Sequence, residues 1–301
     1  PLFSTVLLLA APAHIAGCES IILCTPPNKE GKINDAILFA AKLTGVNKIY
    51  KIGGSQAIAA MAYGTGTIPK VDKIFGPGNQ FVMAAKQLVA LENVAIDMPA
   101  GPSEVAVIAD DSCQPEFVAA DLLSQAEHGP DSQVLLITPH AEIIQPIQLE
   151  IDRQLATLPR KDIAEKSLAN SQIILVKNMA EAIEITNEYA PEHLIIATRN
   201  PREIAHQIQH AGSVFLGHYS TESAGDYASG TNHTLPTKGY AKAYSGLCLD
   251  SFMRKITYQE LSADGLRHLG PIIEEMAQAE QLTAHKQAVS IRLATLSTEN
   301  Q

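Results

Sequence analysis

Four short segments carry the side chains most able to do chemistry. Gln125-Ala126-Glu127-His128 ends a helical pattern. A spacing of three puts Gln125 and His128 on one helix face, and Asp121 falls on that face too. An amide oxygen and an imidazole nitrogen so placed make half of a metal site, although a solvated helix face reads the same way. Ala190-Pro191-Glu192-His193 stands directly before the apolar run Leu194-Ile195-Ile196. Imidazole titrates near neutral pH and an ordered carboxylate can activate water, so this pair offers acid–base catalysis. A helix C-terminus that happens to end in polar residues is the competing reading. Neighbours on an extended chain also point in opposite directions, so Glu192 and His193 need not reach one substrate atom. Gly225-Asp226-Tyr227 and Asn232-His233-Thr234 add a carboxylate and another imidazole, with His218 and Tyr219 nearby. Any one of these alone reads as a surface loop residue.

The remaining histidines are less suggestive. His206, His210 and His268 read as exposed helix positions, and His14 and His140 have no companions. His285 stands apart in following Glu280 by five residues in a C-terminal helical pattern. Nitrogen and oxygen donors without thiolate suit a catalytic or substrate-binding zinc-like site better than a closed structural one. Two glycine-rich turns, Gly53-Gly54-Ser55-Gln56 and Gly76-Pro77-Gly78-Asn79, each sit where a strand gives way to a helix. Glycine there allows close backbone approach, and a helix N-terminus offers free N–H groups to a phosphate. A dinucleotide site is one reading. Neither turn spells GxGxxG, so a tight turn without a ligand is the other.

These groups must be positioned by the elements between them. Apolar runs at residues 20–23, 48–52, 134–137, 173–176, 194–197 and 213–216 alternate with helical patterns at 33–43, 81–91, 117–128 and 180–189. Near-continuous apolarity predicts strands buried on both faces of parallel sheets, with helices as crossovers, which is the α/β class. Asn34 and Asn178 are predicted helix caps. The segment from His218 to Gly246 reads as a long polar loop of the kind that carries function. A strand is expected at Arg254 to Tyr258, and helices from Leu261 onwards. Met98-Pro99-Ala100-Gly101-Pro102 reads as a linker between two halves.

Composition narrows the class further. At about 150 residues per domain, 301 residues predict two domains. Hydrophobic residues make up 46% and charged residues 18%, an ordinary globular balance. With 22 basic and 32 acidic residues the net charge is −10, and no run of Lys or Arg occurs, which argues against a nucleic-acid or anionic-membrane surface. The longest apolar stretch, Val6 to Ala13, falls well short of the roughly 20 residues a membrane span needs. The four cysteines form no CxxC pair and no disulfide framework, so a cytoplasmic setting is expected. The chain opens on Pro1 rather than Met, with an apolar helical pattern from Leu2, so a preceding segment is expected.

Taken together, the motifs resemble one family. Pro1-Leu2-Phe3-Ser4-Thr5, Gly53-Gly54-Ser55-Gln56-Ala57, Phe75-Gly76-Pro77-Gly78-Asn79, Gly101-Pro102-Ser103-Glu104, Gln125-Ala126-Glu127-His128-Gly129-Pro130, Ala190-Pro191-Glu192-His193-Leu194 and Gly230-Thr231-Asn232-His233-Thr234-Leu235-Pro236 closely resemble the histidinol dehydrogenases, over essentially the whole chain. The resemblance implies NAD-dependent oxidation of L-histidinol, through the aldehyde, to L-histidine. It implies Gln125, His128, Asp226 and His285 as Zn2+ ligands and Glu192 and His193 as the acid–base pair. Ser103, His233 and Glu280 are implied as substrate contacts together with the ligands and His193, and Gln56 and Asn79 as contacts to NAD. It further implies a homodimer in which the C-terminal segment of one subunit completes the site of the other.

The expected architecture is therefore two Rossmann-like parallel-sheet domains with small, mainly helical C-terminal domains. Residues 1–102 are expected to bind NAD, 103–247 to carry the metal and catalytic residues, and 248–301 to be contributed to the partner subunit. One departure stands out: the family's Tyr-x-Pro-Gly-Gly motif, and a long region before it, precede the point where this sequence begins. A fragment or a mis-assigned start is expected, with consequences for cofactor affinity. Two alternatives stay open at this point: an impaired fragment that only binds metal or imidazole, and a dehydrogenase of another amino alcohol.

Overall fold

The computed structural model describes residues 2–92 and 94–298; Pro1, remarked on above, lies outside them. The chain divides into two compact units, Pro1–Met253 and Arg254–Gln301. The first unit runs α1 (Phe3–Ile15), β1 (Ile22–Cys24), α2 (Asp35–Leu43), β2 (Lys48–Tyr50), α3 (Gly54–Tyr63), β3 (Lys73–Ile74), α4 (Gln80–Ala90) and β4 (Ala95–Ile96). It continues with β5 (Glu104–Ala109), α5 (Pro115–Ala126), β6 (Gln133–Thr138), α6 (Ile144–Leu155), α7 (Lys161–Ala169), β7 (Gln172–Leu175), α8 (Met179–Tyr189), β8 (His193–Ala197), α9 (Pro201–Ala205), β9 (Ser213–Leu216) and α10 (Glu222–Tyr227).

Every strand pair among the described residues is parallel, as expected of the α/β class. The early strands form two short sheets, β1-β2 and β3-β4, while a five-stranded sheet has the order β7-β6-β5-β8-β9. The central strand β5 is buried along its whole length, and its side chains alternate between two cores as strand geometry requires. Val105, Val107 and Ala109 pack with Val118, Leu122, Ile147 and Ile151 of α5 and α6. Ala106 and Ile108 pack with Ala182, Ile183 and Ile204 of α8 and α9. This strand has no place among the apolar runs at 20–23, 48–52 and the rest, because its first residue is an acid and a Gly-Pro turn adjoins it. Asn34 caps α2 by accepting from Ala36 N at 3.0 Å, and Asn178 caps α8 by accepting from Glu181 N at 3.0 Å, both as predicted.

Five expectations need correction. Arg254 to Tyr258 is not a strand; it is exposed and irregular, and no strand among the described residues pairs with it. Met98 to Pro102 is not a loose linker, since Met98 and Pro99 are buried and Gly101 N donates to Thr237 Oγ1 at 2.5 Å. The polar segment 218–246 is only partly loop, because α10 lies inside it. His210 lies beyond the end of α9 rather than on a helix, and His140 has a companion, Glu142 Oε1, 3.1 Å from its Nδ1.

The segment after α10 ties both halves of the first unit together. Asn232 Nδ2 donates to Leu8 O at 2.8 Å, Lys73 Nζ donates to Ser251 O at 2.8 Å, and the rings of Phe75 and Phe252 stack with centroids 4.2 Å apart. In the second unit, α11 (Ala263–Ala279) packs on α12 (Thr283–Thr298), and Gly270 lets Leu293 approach where a Cβ would collide with it. No helix of the described residues is long and apolar enough to cross a membrane.

Candidate active site

The site is organised around the first residue of β5. Glu104 N donates to Glu192 Oε2 at 2.8 Å, and Glu104 Oε1 accepts from Lys238 N at 2.9 Å. The Glu104 carbonyl accepts from Gln125 Nε2 at 3.3 Å and lies 3.2 Å from His193 Nδ1. Topology explains the convergence. Parallel register sets Val105 opposite His193, so the first residues of β5 and β8 share one sheet edge. Helix α5 runs back from the far edge of the sheet, which returns Gln125 to this edge.

His193 is held from several sides. Gln125 Nε2 lies 3.0 Å and Glu192 Oε2 3.6 Å from its Nδ1, and its ring stacks on Phe215 with centroids 6.0 Å apart. The Glu104 carbonyl and the Glu192 carboxylate can each accept from Nδ1, so Nε2 is the ring nitrogen left to exchange a proton with a ligand. Glu192 and His193 thus do converge. Glu192 precedes the strand, so strict alternation does not apply to it.

Helix α10 supplies the opposing charges. Glu222 and Asp226, four apart, lie on one helix face, and with His128 they place a ligand atom each within 4.8 Å of one another. Helix α5 itself stops at Ala126, earlier than predicted, and His128 follows in a turn whose N–H bonds Gln125 O at 3.2 Å. Asp121 is half-buried one turn before Gln125, where desolvation raises its carboxyl to about 6 against a hydrogen bond from Thr221.

Burial dominates the electrostatics. Desolvation, with the Glu192 charge adding to it, raises the Glu104 carboxyl to about 7 even though backbone N–H groups oppose the shift. Glu222 is likewise raised to about 7 by desolvation and by Asp226, Glu192 and Asp121, against the pull of His193. Burial alone would lower His193, but Glu192, Glu222 and Asp226 outweigh it and push the imidazole up to about 9. Desolvation holds His233 below the ordinary imidazole value despite Asp226. Gln125 Oε1, His193 Nε2, Glu222 Oε2 and His233 Nε2 are all buried without a hydrogen-bond partner among the described residues. Each such atom costs about 1–3 kcal/mol if left unsatisfied, so four in one cluster mark a place made for something else to bind.

Gln125, His128, Glu192, His193, Asp226 and His233 are thus brought together. Ser103 directly precedes Glu104, and its carbonyl accepts from Gln133 N at 3.1 Å. Gln56 is exposed in the first turn of α3, and Asn79 is the N-cap of α4, its Oδ1 accepting from Phe81 N and Val82 N at 3.1 Å each. Glu280 and His285 are exposed residues of the second unit. Glu104 and Glu222 went unassigned in the sequence. Glu222 was legible in principle, as a carboxylate one helical turn before Asp226, had the segment been read as helix rather than loop.

Fold and site together define a class: an α/β protein with a buried acid–base pair beside a carboxylate–imidazole–amide cluster able to hold a metal. The sequence matches the histidinol dehydrogenase family over residues 1–293, and the chain belongs to that family. It is 68% identical to a histidinol dehydrogenase of Bacteroides fragilis (strain YCH46) over 293 residues, which is 97% of this chain and 68% of that protein. Identity to the Escherichia coli (strain K12) histidinol dehydrogenase is 57% over 301 residues, covering 99% of this chain and 68% of that one. A crystal structure of histidinol dehydrogenase from Elizabethkingia anophelis superposes with a TM-score of 0.97 at 59% identity, covering 99% of this chain and 69% of that chain.

The raised carboxyls give the site a signature in stability. A group whose pKa rises on folding stabilises the fold while protonated, and that stability is lost as pH climbs through the folded value. For Glu222 the window runs from 4.5 to about 7. In metal-free protein, Glu222→Gln removes this dependence, so its unfolding free energy relative to the unaltered chain should climb between pH 5 and 7. The limiting slope is about 1.4 kcal/mol per pH unit for one proton. Urea unfolding at pH 5, 6 and 7 measures it; a difference that stays flat with pH contradicts the assignment.

Proposed function

We propose that this chain oxidises L-histidinol through L-histidinaldehyde to L-histidine, the last steps of histidine biosynthesis, with two hydride transfers. The observation that carries the reading is the set of buried, unpartnered nitrogen and oxygen atoms at Gln125, His193, Glu222 and His233, in a chain of the histidinol dehydrogenase family. An imidazole and an amine offer the donors and protons that such a set can meet.

Our reading of the chemistry gives each residue a task. His193 Nε2 takes the alcohol proton as hydride leaves the carbinol carbon, and Glu192 takes a proton from the water that adds to the aldehyde. Gln125 and the Glu104 carbonyl fix the imidazole plane, so no reorientation is needed between the two steps. Ser103 and His233 contact the substrate. The donor set of Gln125, His128 and Asp226, with the orphaned Gln125 Oε1 among them, fits zinc. When bound, the metal supplies Lewis-acid polarisation and a template that orients the substrate. NAD, when bound, accepts the hydride in each oxidation.

We assign cofactor binding to residues 1–102 and the chemistry to residues 103–247. Gly53, the N-cap of α3, offers no side-chain cap, so the helix's first-turn N–H groups are left for phosphate oxygens. Gln56 stands in that turn. The Asn79 oxygen is spent on capping α4, so we give the contact with NAD to its amide nitrogen. Four free cysteines are in keeping with a reducing, cytoplasmic setting. Of residues 248–301, we assign the second unit, Arg254–Gln301, to the partner subunit's site in a homodimer, with Glu280 as a substrate contact and His285 as the fourth ligand, while Ser251 and Phe252 stay on their own first unit.

The primary test mixes the chain with NAD and histidinol and follows nicotinamide absorbance. Turnover is expected, chelation should abolish it, and zinc should restore it; full activity in verified metal-free protein rules out the metal. Other amino alcohols in place of histidinol should be turned over poorly.

Glu192→Gln keeps size but loses the base, so oxidation of supplied histidinaldehyde should suffer more than oxidation of histidinol to the aldehyde. His193→Asn should impair both steps. Equal slowing of both half-reactions by Glu192→Gln would remove the division of labour.

The shared site is tested by complementation. A His128→Asn chain and a His285→Asn chain, each inactive, are mixed under conditions of subunit exchange. In a C2 dimer one of the two mixed sites carries both lesions and the other neither, so activity should return. Continued inactivity after demonstrated exchange means that each subunit builds its own site.

A further inference from the structure

The first half of the chain contains a buried ion pair that the chemistry above does not use. Lys86 of α4 and Asp97, just beyond β4, pair directly, with their side chains only 6% and 1% exposed. Both also hold the backbone of one residue. Lys86 Nζ donates to Gly76 O at 2.9 Å, and Asp97 Oδ2 accepts from Gly76 N at 2.8 Å. Asp97 Oδ1 in addition accepts from Met98 N at 2.8 Å. Gly76 opens the turn Gly76-Pro77-Gly78-Asn79 at a φ of +126°, a conformation that L side chains rarely adopt. Its neighbour Phe75 is stacked on Phe252, so the turn is held from the side as well as from beneath.

Such a pair is a poor source of net stability, because desolvating two charges offsets most of their attraction. Its physical consequence is positional. Both polar groups of Gly76 are consumed by the brace, and Pro77 has no N–H. The N–H groups of Gly78, Asn79 and Gln80 form no hydrogen bond among the described residues. The brace therefore turns one face of the turn inward and leaves the next three amides for a ligand.

We propose that Lys86 and Asp97 are positioning residues for the cofactor: they hold the Gly76–Asn79 turn in the one conformation that presents its free amides to a dinucleotide. The proposal rests on the reading that residues 1–102 bind NAD. Neither side chain touches the cofactor. Both act through the backbone of Gly76.

The test is direct binding of NADH by calorimetry, alongside steady-state kinetics. The variant Lys86→Met/Asp97→Asn removes both charges at nearly constant volume, and circular dichroism and zinc content confirm that it is folded. Its NADH affinity should fall roughly tenfold to a hundredfold, the scale seen when hydrogen-bonded supports behind a ligand are removed. The KM for NAD should rise in step, while kcat at saturating NAD and the KM for histidinol stay near those of the unaltered chain. Val46→Ala, in the separate core around α1 and α2, serves as a control for general loss of stability. If the double variant does not fold, Asp97→Asn alone is judged by the same measurements. Undiminished NADH affinity in the folded variant overturns the brace, as does equal weakening by Val46→Ala at a matched loss of Tm. If the unaltered chain itself fails to bind NADH, the cofactor reading falls and the brace with it.

Discussion

The main chain of Glu104 is the constraint on which the site depends. Its N–H fixes one oxygen of Glu192, its carbonyl fixes Gln125 and faces His193 Nδ1, and its side chain takes the N–H of Lys238. Three segments far apart in sequence are keyed to this one residue at the start of the central strand. A main-chain anchor in the middle of a five-stranded sheet is about as immobile as a protein can offer, because moving it breaks ladders on both sides and two packed cores. Glu192 and His193 inherit that rigidity, and preorganisation of this kind is what would let either group exchange a proton without first being oriented.

The two halves of the first unit use opposite ends of their strands. In the first half both glycine-rich turns follow the carboxyl ends of β2 and β3, the usual place for a ligand in an open parallel sheet. In the second half Glu192 and His193 sit at the amino ends of β5 and β8 instead. The crossover helix α5 makes this workable, because its C-terminal turn returns to the amino edge carrying Gln125 and His128. Asn232, Thr237, Lys238 and Ser251 then tie loop, first half and sheet edge to one another. The connection is made of hydrogen bonds to backbone groups, so it fixes position without demanding any particular side chain at the far end.

This pattern also explains what could be read from the sequence. Apolar runs found six of the strands, and Asn34 and Asn178 marked helix starts, because those signals are local. Gln125, His128, Glu192, His193, Asp226 and His233 stood out because imidazole, carboxylate and amide groups near glycine turns are chemically conspicuous. Glu104 was not conspicuous, since it acts largely through backbone atoms that every residue has. Glu222 was hidden by the Gly, Ser and Thr around it, whose weak helix propensity made a real helical turn read as loop. Lys86 and Asp97 were invisible for another reason: only the fold shows that a lysine in a helical pattern is buried.

The charge balance of the site follows from the same burial. Glu104, Glu192, Glu222 and Asp226 stand near one another and around His193, so the cluster carries more acid than its single raised imidazole can neutralise. Protonation is one relief, which is why two of these carboxyls are raised to about 7. A bound cation is another, and it satisfies the orphaned oxygens of Gln125 and Glu222 at the same time. The two reliefs compete, since a protonated carboxyl is a poor ligand. Cation affinity and fold stability would therefore respond to pH in opposite directions: the fold gains where the carboxyls are protonated, and a cation bound there would gain where they are not. A buried cluster rich in acid and unpartnered oxygens is the expected result when local stability has been given up for binding.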